Sequence, residues 1–122
     1  MINLINKLFR RRSAKNPEDE FMVTLNDLFV QVSYPEGKIN KIYWNDIMEI
    51  KLINTIAGPV LPDIWLVLIG KEEVCIIPHG ARRFNEVYEV ISKYDGFNFD
   101  NFGNSMTCTD NAEFRLWTKN IR

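Results

Sequence analysis

Few residues in the chain could carry out chemistry, and they are scattered. One histidine, His79, and two cysteines, Cys75 and Cys108, occur in 122 residues. Together they cannot supply the four ligands of an ordinary structural zinc site. Cys75 lies four residues before His79, in the apolar run Val74-Cys75-Ile76-Ile77. The two could meet, but a thiol–imidazole pair with no orienting third group is weak support for nucleophilic catalysis. His79 precedes Gly80 at a strand-to-helix junction, which places it at the helix entrance beside the first-turn amides. The carboxylates do not form a ligand set either. Glu18-Asp19-Glu20 is a solvated charge run, and Asp95, Asp100 and Asp110 lack the alternation and glycine of a calcium loop. The six glycines are dispersed, so no phosphate cradle is formed. The sequence therefore predicts no enzyme, no catalytic residue, no metal and no cofactor. It predicts a protein that binds.

Charge says what kind of partner. Residues 1–15 contain Lys7, Arg10, Arg11, Arg12 and Lys15 and no acid, a net +5. Residues 16–122 set ten Lys and Arg against all sixteen acids, a net −6. An acidic body repels nucleic acid and attracts basic protein surfaces. Composition, with 46% hydrophobic and 25% charged residues, excludes wholesale disorder. No apolar run approaches the roughly 20 residues of a membrane span. The widely separated cysteines read as free thiols in a reducing cytoplasm.

Three segments position these residues. Segment 1–12 is basic and amphipathic, with Ile2, Ile5 and Phe9 on one helical face beside Leu4 and Leu8. Two readings of it remain open: it rests on an anionic membrane surface through Arg10, Arg11 and Arg12, or it docks on the body or frays. Its charges follow the apolar stretch, unlike those of a secretory signal. Segment 13–20 is a polar, Pro-containing tether. Segment 21–122 is a single α+β domain. Period two runs through Leu28, Val30, Val32 and Tyr34, and a tight turn follows at Pro35-Glu36-Gly37-Lys38. Strand resumes over 39–44, with Ile42 and Trp44 on one face. Residues 47–55 fit either a bulged strand or a short helix. The run Ile64-Trp65-Leu66-Val67-Leu68-Ile69 reads as a central strand covered on both faces, paired with 74–77 through the short connection 70–73. Phe84, Val87, Tyr88 and Ile91 then mark an amphipathic helix over 81–94. Phe99, Phe102 and Met106 mark a shorter helix, and 113–118 alternates as a last strand. Phe97, Phe99 and Phe102 are expected in the core. The expected architecture is a curved antiparallel sheet or partial barrel of about six strands, capped by a helix and followed by a short helix and strand.

The motif order is Tyr43-Trp44-Asn45-Asp46-Ile47-Met48-Glu49-Ile50, Thr55, Gly58-Pro59, Asp63-Ile64-Trp65-Leu66-Val67-Leu68, Pro78 before a helix, Gly96-Phe97, Met106 and Asp110-Asn111-Ala112-Glu113-Phe114-Arg115-Leu116-Trp117. Over residues 21–119 this order resembles a family of small, largely uncharacterised bacterial cytoplasmic proteins that look pleckstrin-homology-like (PH-like). The resemblance implies a curved antiparallel sheet closed at one end by the helix at 81–94, and it offers no catalytic residues. Small acidic α+β proteins of this build also resemble immunity proteins, which neutralise a toxin domain made by the same cell.

On these grounds the expected partner is a basic toxin domain engaged through the acidic body, with no nucleic acid bound. The alternative is a PH-like adaptor at the membrane surface. The expected partner-binding residues are Ile56, Val60 and Leu61, on the two-proline loop 55–63, with Asp63 beside that loop and Glu86 on the wet side of the helix. Stiff loop geometry reduces the entropy lost on binding. The oligomeric state is left open.

Overall fold

Alternation of apolar and polar residues builds the first sheet. The computed structural model describes residues 21–56 and 63–119. Strands β1 (Met22–Leu25), β2 (Phe29–Ser33) and β3 (Ile39–Tyr43) form an antiparallel meander. Val23 pairs with Val32 and Val30 with Ile42, so one face of the sheet is buried apolar surface. The β1–β2 turn is closed by Asn26, whose Oδ1 accepts from the amides of Leu28 (2.8 Å) and Phe29 (3.0 Å). Leu28 therefore sits in the turn and is exposed, although the period-two pattern placed it with the buried residues. In the β2–β3 turn Gly37 adopts φ +96°, which a residue with a Cβ reaches only with strain.

The second sheet has the order β6-β5-β4-β7. It contains β4 (Glu49–Thr55), β5 (Asp63–Ile69), β6 (Val74–Pro78) and β7 (Ala112–Thr118). Trp65, Leu66, Val67 and Leu68 are fully buried, as expected for a strand covered on both faces. The 70–73 connection is closed by the Gly70 amide donating to Glu73 O at 2.8 Å. A Cβ on Gly70 would lie 3.0 Å from Ile42 Cδ1 and 3.2 Å from Asp46 O, so its neighbours would have to give by a few tenths of an ångström. Residues 49–55 are strand, and the β4–β7 register shifts between Ile50 and Lys51, which settles the choice between bulged strand and helix.

One curved sheet was expected; the described residues form two. The cause lies in the 3₁₀ turn Trp44–Asp46, which leads from β3 to β4. Trp44 is buried, its indole N–H donates to Asn26 O at 2.7 Å, and its amide donates to Leu28 O at 3.0 Å. The chain is thereby pinned to the end of the first sheet and leaves it, so β4 takes β5 and β7 as neighbours instead of β3. The sheets then meet through side chains. Asn40 Nδ2 of β3 donates to Val74 O of β6 at 2.8 Å, and the Ile76 amide donates to the Tyr34 hydroxyl at 3.0 Å. Phe21 lies edge-on to both Tyr34 and Trp65, 5.8 and 5.9 Å between centroids.

Helix α1 (Phe84–Ile91) is shorter than the expected 81–94. Ala81 and Phe84 close a turn through Ala81 N–H to Pro78 O and Phe84 N–H to Ala81 O. Arg83 has φ 69°, which no helix accommodates. Beyond Ile91 the bonds tighten to three-residue turns, Lys93 to Val90 O and Tyr94 to Ile91 O, before Gly96 at φ +92°. Phe84, Val87 and Ile91 still join the one hydrophobic core. Helix α2 (Phe99–Thr107) starts at Asn98, whose Oδ1 accepts from the Asn101 amide at 2.9 Å. Phe97 is buried and Phe102 half-buried, whereas Phe99 is exposed, contrary to its expected place in the core. A buried polar pair fixes α2 to β4: Ser105 Oγ donates to Asn54 Oδ1 (2.6 Å), and Asn54 Nδ2 donates to Ser105 O (2.9 Å). The described residues thus form an α+β fold of two antiparallel sheets and two helices. No helix among them is long and apolar enough to cross a membrane.

Candidate partner-binding surface

Pairing decides which surface charges are left to meet a partner. Lys51 reaches Glu113 at 2.9 Å and Arg115 reaches Glu49 at 3.1 Å, both across β4 and β7. On α1, Glu86 receives Nε and Nη2 of Arg83 at 3.0 and 3.1 Å. This bidentate bond holds the Glu86 carboxyl below its ordinary range and the guanidinium above its own. Glu86, expected to contact a partner from the wet side of the helix, is exposed there and paired with the left-handed Arg83.

Beside that pair lies a groove of about 400 Å³ between the β1–β2 turn and α1. Leu25 and Val90 give it apolar lining, and Asp27, Glu86, Glu89 and Arg83 give it charge. Asp27 and Glu89 have no ion-pair partner among the described residues. A lysine or arginine side chain suits such a groove, with its aliphatic stem on Leu25 and Val90 and its head between the carboxylates. Nothing in the sequence singles out Asp27, in a turn, or Glu89, on the wet face of the helix, as a binding residue. Their juxtaposition depends on α1 crossing the end of the first sheet, which no local pattern specifies.

The other expected contact residues lie elsewhere. Ile56 follows β4 directly and is exposed, its amide donating to Asn111 Oδ1 at 2.6 Å. Asp63 opens β5 opposite Thr55 and is half-buried. Ile56 and Asp63 thus share one end of the second sheet, and neither lines the groove that holds Glu86. Val60 and Leu61 lie outside the described residues, as do Arg10, Arg11 and Arg12.

Cys75 is fully buried in β6, and that burial pushes its thiol up to about 12, removing the thiolate at neutral pH. His79 does not turn to the first-turn amides. Its ring lies edge-on to Phe84 at 4.9 Å, and desolvation there lowers its pKa below the ordinary value. The imidazole is thus kept neutral beside an aromatic ring. Among the described residues no group of three or more His, Cys, Asp or Glu side chains is arranged to hold a metal ion. Comparison with family models, curated proteins and solved structures finds no match.

Proposed function

We propose that the chain is a non-catalytic protein-binding module of PH-like build, an immunity protein that neutralises a basic toxin domain in the cytoplasm. The observation that supports this reading is the groove beside α1. Two carboxylates without an ion-pair partner among the described residues, Asp27 and Glu89, stand there next to the apolar side chains of Leu25 and Val90. The wider support is the −6 carried by residues 16–122, a field that steers a cationic partner toward the body. Neutralisation needs no chemistry from the bound protein, only a complex that outlasts the encounter.

The test is to ask whether the gene immediately upstream encodes a large secreted protein and to co-express the chain with that protein's carboxy-terminal domain. The expected result is restored growth of cells making that domain, together with a stable complex of the two chains. Growth arrest unrelieved by the chain, or a toxic domain that is itself acidic, overturns the proposal.

A further inference from the structure

Alternation of hydrogen bonds along β1 leaves one side of its backbone open. The Asn26 amide donates to Phe29 O across the turn, so Thr24–Gln31 and Met22–Ser33 are the hydrogen-bonded pairs further along the register. The bond from the Tyr34 amide to Lys38 O fixes the same phase independently, because it turns the backbone of Val30 and Val32 toward β3. The N–H and C=O groups of Val23 and Leu25 therefore point away from β2. Other edges are tied to neighbouring elements: Asn40 Nδ2 of β3 reaches Val74 O of β6, and Asn101 Nδ2 of α2 reaches Arg115 O of β7, both at 2.8 Å. Among the described residues no hydrogen bond joins β1 to any element but β2. Leu25 both ends this open edge and lines the groove whose other wall is α1. Val23 is buried, and Leu25, two residues on, shares its face of the sheet.

We infer that β1 receives an extended, basic segment of the partner as an added antiparallel strand, laid in the groove between β1 and α1. This rests on the reading of the partner as a basic domain and says how that domain is held. An added strand pairs with the open backbone of Val23 and Leu25, and its alternate side chains supply the specificity. Residues opposite Val23 and Leu25 turn their side chains to the same face as theirs, and same-face positions recur about every 6.7 Å. An apolar side chain opposite Leu25 covers Leu25 and Val90. A basic one two residues away then comes within reach of Asp27 and Glu89. Arg83, the cation in the groove wall, is held by Glu86 and leaves those two carboxylates to the partner. The same carboxylates repel an acidic segment.

NMR titration of the isotope-labelled full chain with the peptide acetyl-Lys-Thr-Val-Thr-Lys-amide tests this. Its side chains read the same in either chain direction, with valine between two lysines on one face. At saturation the Val23 and Leu25 amides should exchange with solvent at least about ten-fold more slowly, while Met22 and Thr24, already bonded to β2, change less than about two-fold. The same peptide N-methylated at valine keeps every side chain and charge but loses a strand donor, and should bind at least about ten-fold more weakly. Asp27→Asn with Glu89→Gln should weaken the unmethylated peptide by about ten-fold. Equal binding of the two peptides, changes centred away from Val23 and Leu25, or no saturable change up to about 5 mM overturns the inference. Growth rescue by the chain is a separate readout. Rescue with a negative peptide result rejects strand addition and keeps the basic partner; a positive peptide result without rescue does the reverse.

Discussion

Replacing Asn54 by alanine tests the structure where its polar chemistry is most deeply buried. Asn54 and Ser105 are 1% and 0% exposed. The side chain of Asn54 donates to Ser105 O at 2.9 Å and more weakly to Cys108 O at 3.4 Å, and it accepts from Ser105 Oγ at 2.6 Å. Alanine leaves Ser105 Oγ without its partner in a site closed to water, and leaves Ser105 O only the longer bond from the Cys108 amide at 3.3 Å. A stranded buried group costs about 1–3 kcal/mol, so with the weakened carbonyl the substitution should cost about 3 kcal/mol in all. Against a total stability of about 5–15 kcal/mol for a single domain, this is a large fraction. Urea denaturation followed by tryptophan fluorescence reads it as a midpoint lowered by about 1–3 M, given slopes of about 1–3 kcal/mol/M. Ser105→Ala alone should cost less, about 1–2 kcal/mol, because it removes one donor and leaves the backbone carbonyl paired. In the double variant the losses should fall short of additive by about 1 kcal/mol or more, the mark of groups that bond to each other. An Asn54→Ala midpoint within about 0.5 kcal/mol of the parent would refute the reasoning, since it would mean that water reaches the site or that α2 is not held by this pair.

Three further outcomes follow from the same coordinates. In the native protein a thiol reagent should label Cys108, which is half-buried, and spare Cys75, whose thiol is buried and raised to about 12; both should react after unfolding, as counted by mass spectrometry. NMR titration of His79 should give a midpoint below the ordinary histidine value of about 6.5, because desolvation disfavours the imidazolium. Since folding lowers this pKa, the neutral ring's contribution to stability is complete above the unfolded value and lost as pH falls through the folded one, and His79→Phe should remove that part of the acid response. Gly37→Ala should cost about 1–2 kcal/mol by thermal unfolding, purely from the φ of +96°, because nothing lies within 4 Å of the added methyl group.

Much of the fold was legible in the sequence because its signals are local. Val30 and Val32 at period two, the continuous run through Trp65–Leu68, and Phe84, Val87 and Ile91 at helical spacing each dictate an element whatever surrounds it. Six strands, two helices and a last strand do occur in that order, although the second helix, expected to be the shorter, has nine residues against eight in the first. What could not be read were decisions taken between elements. The division into two sheets follows from Trp44 reaching back to Asn26 O across 18 residues, a contact with no local periodicity. The late start of α1 comes from Arg83 at φ 69°, a conformation that a sequence of good helix formers conceals. The candidate surface was the least legible part. Glu86 was visible as an acid on a wet face, but its bond to Arg83 rests on the left-handed turn there, and Asp27 and Glu89 line one groove only once α1 has packed.

The association rate constant between the chain and the basic domain that it rescues, measured by stopped-flow as salt rises, tests the proposed function most directly. Between about 10 mM and about 150 mM salt the Debye length falls from about 30 Å to about 8 Å. If the acidic body steers its partner, association should slow about ten-fold over that range while dissociation changes less than about two-fold. Asp27→Lys with Glu89→Lys should slow it further at low salt. An association rate indifferent to salt and to both reversals would contradict the account, and apolar anchoring through Ile56, Val60 and Leu61 would then have to carry the recognition.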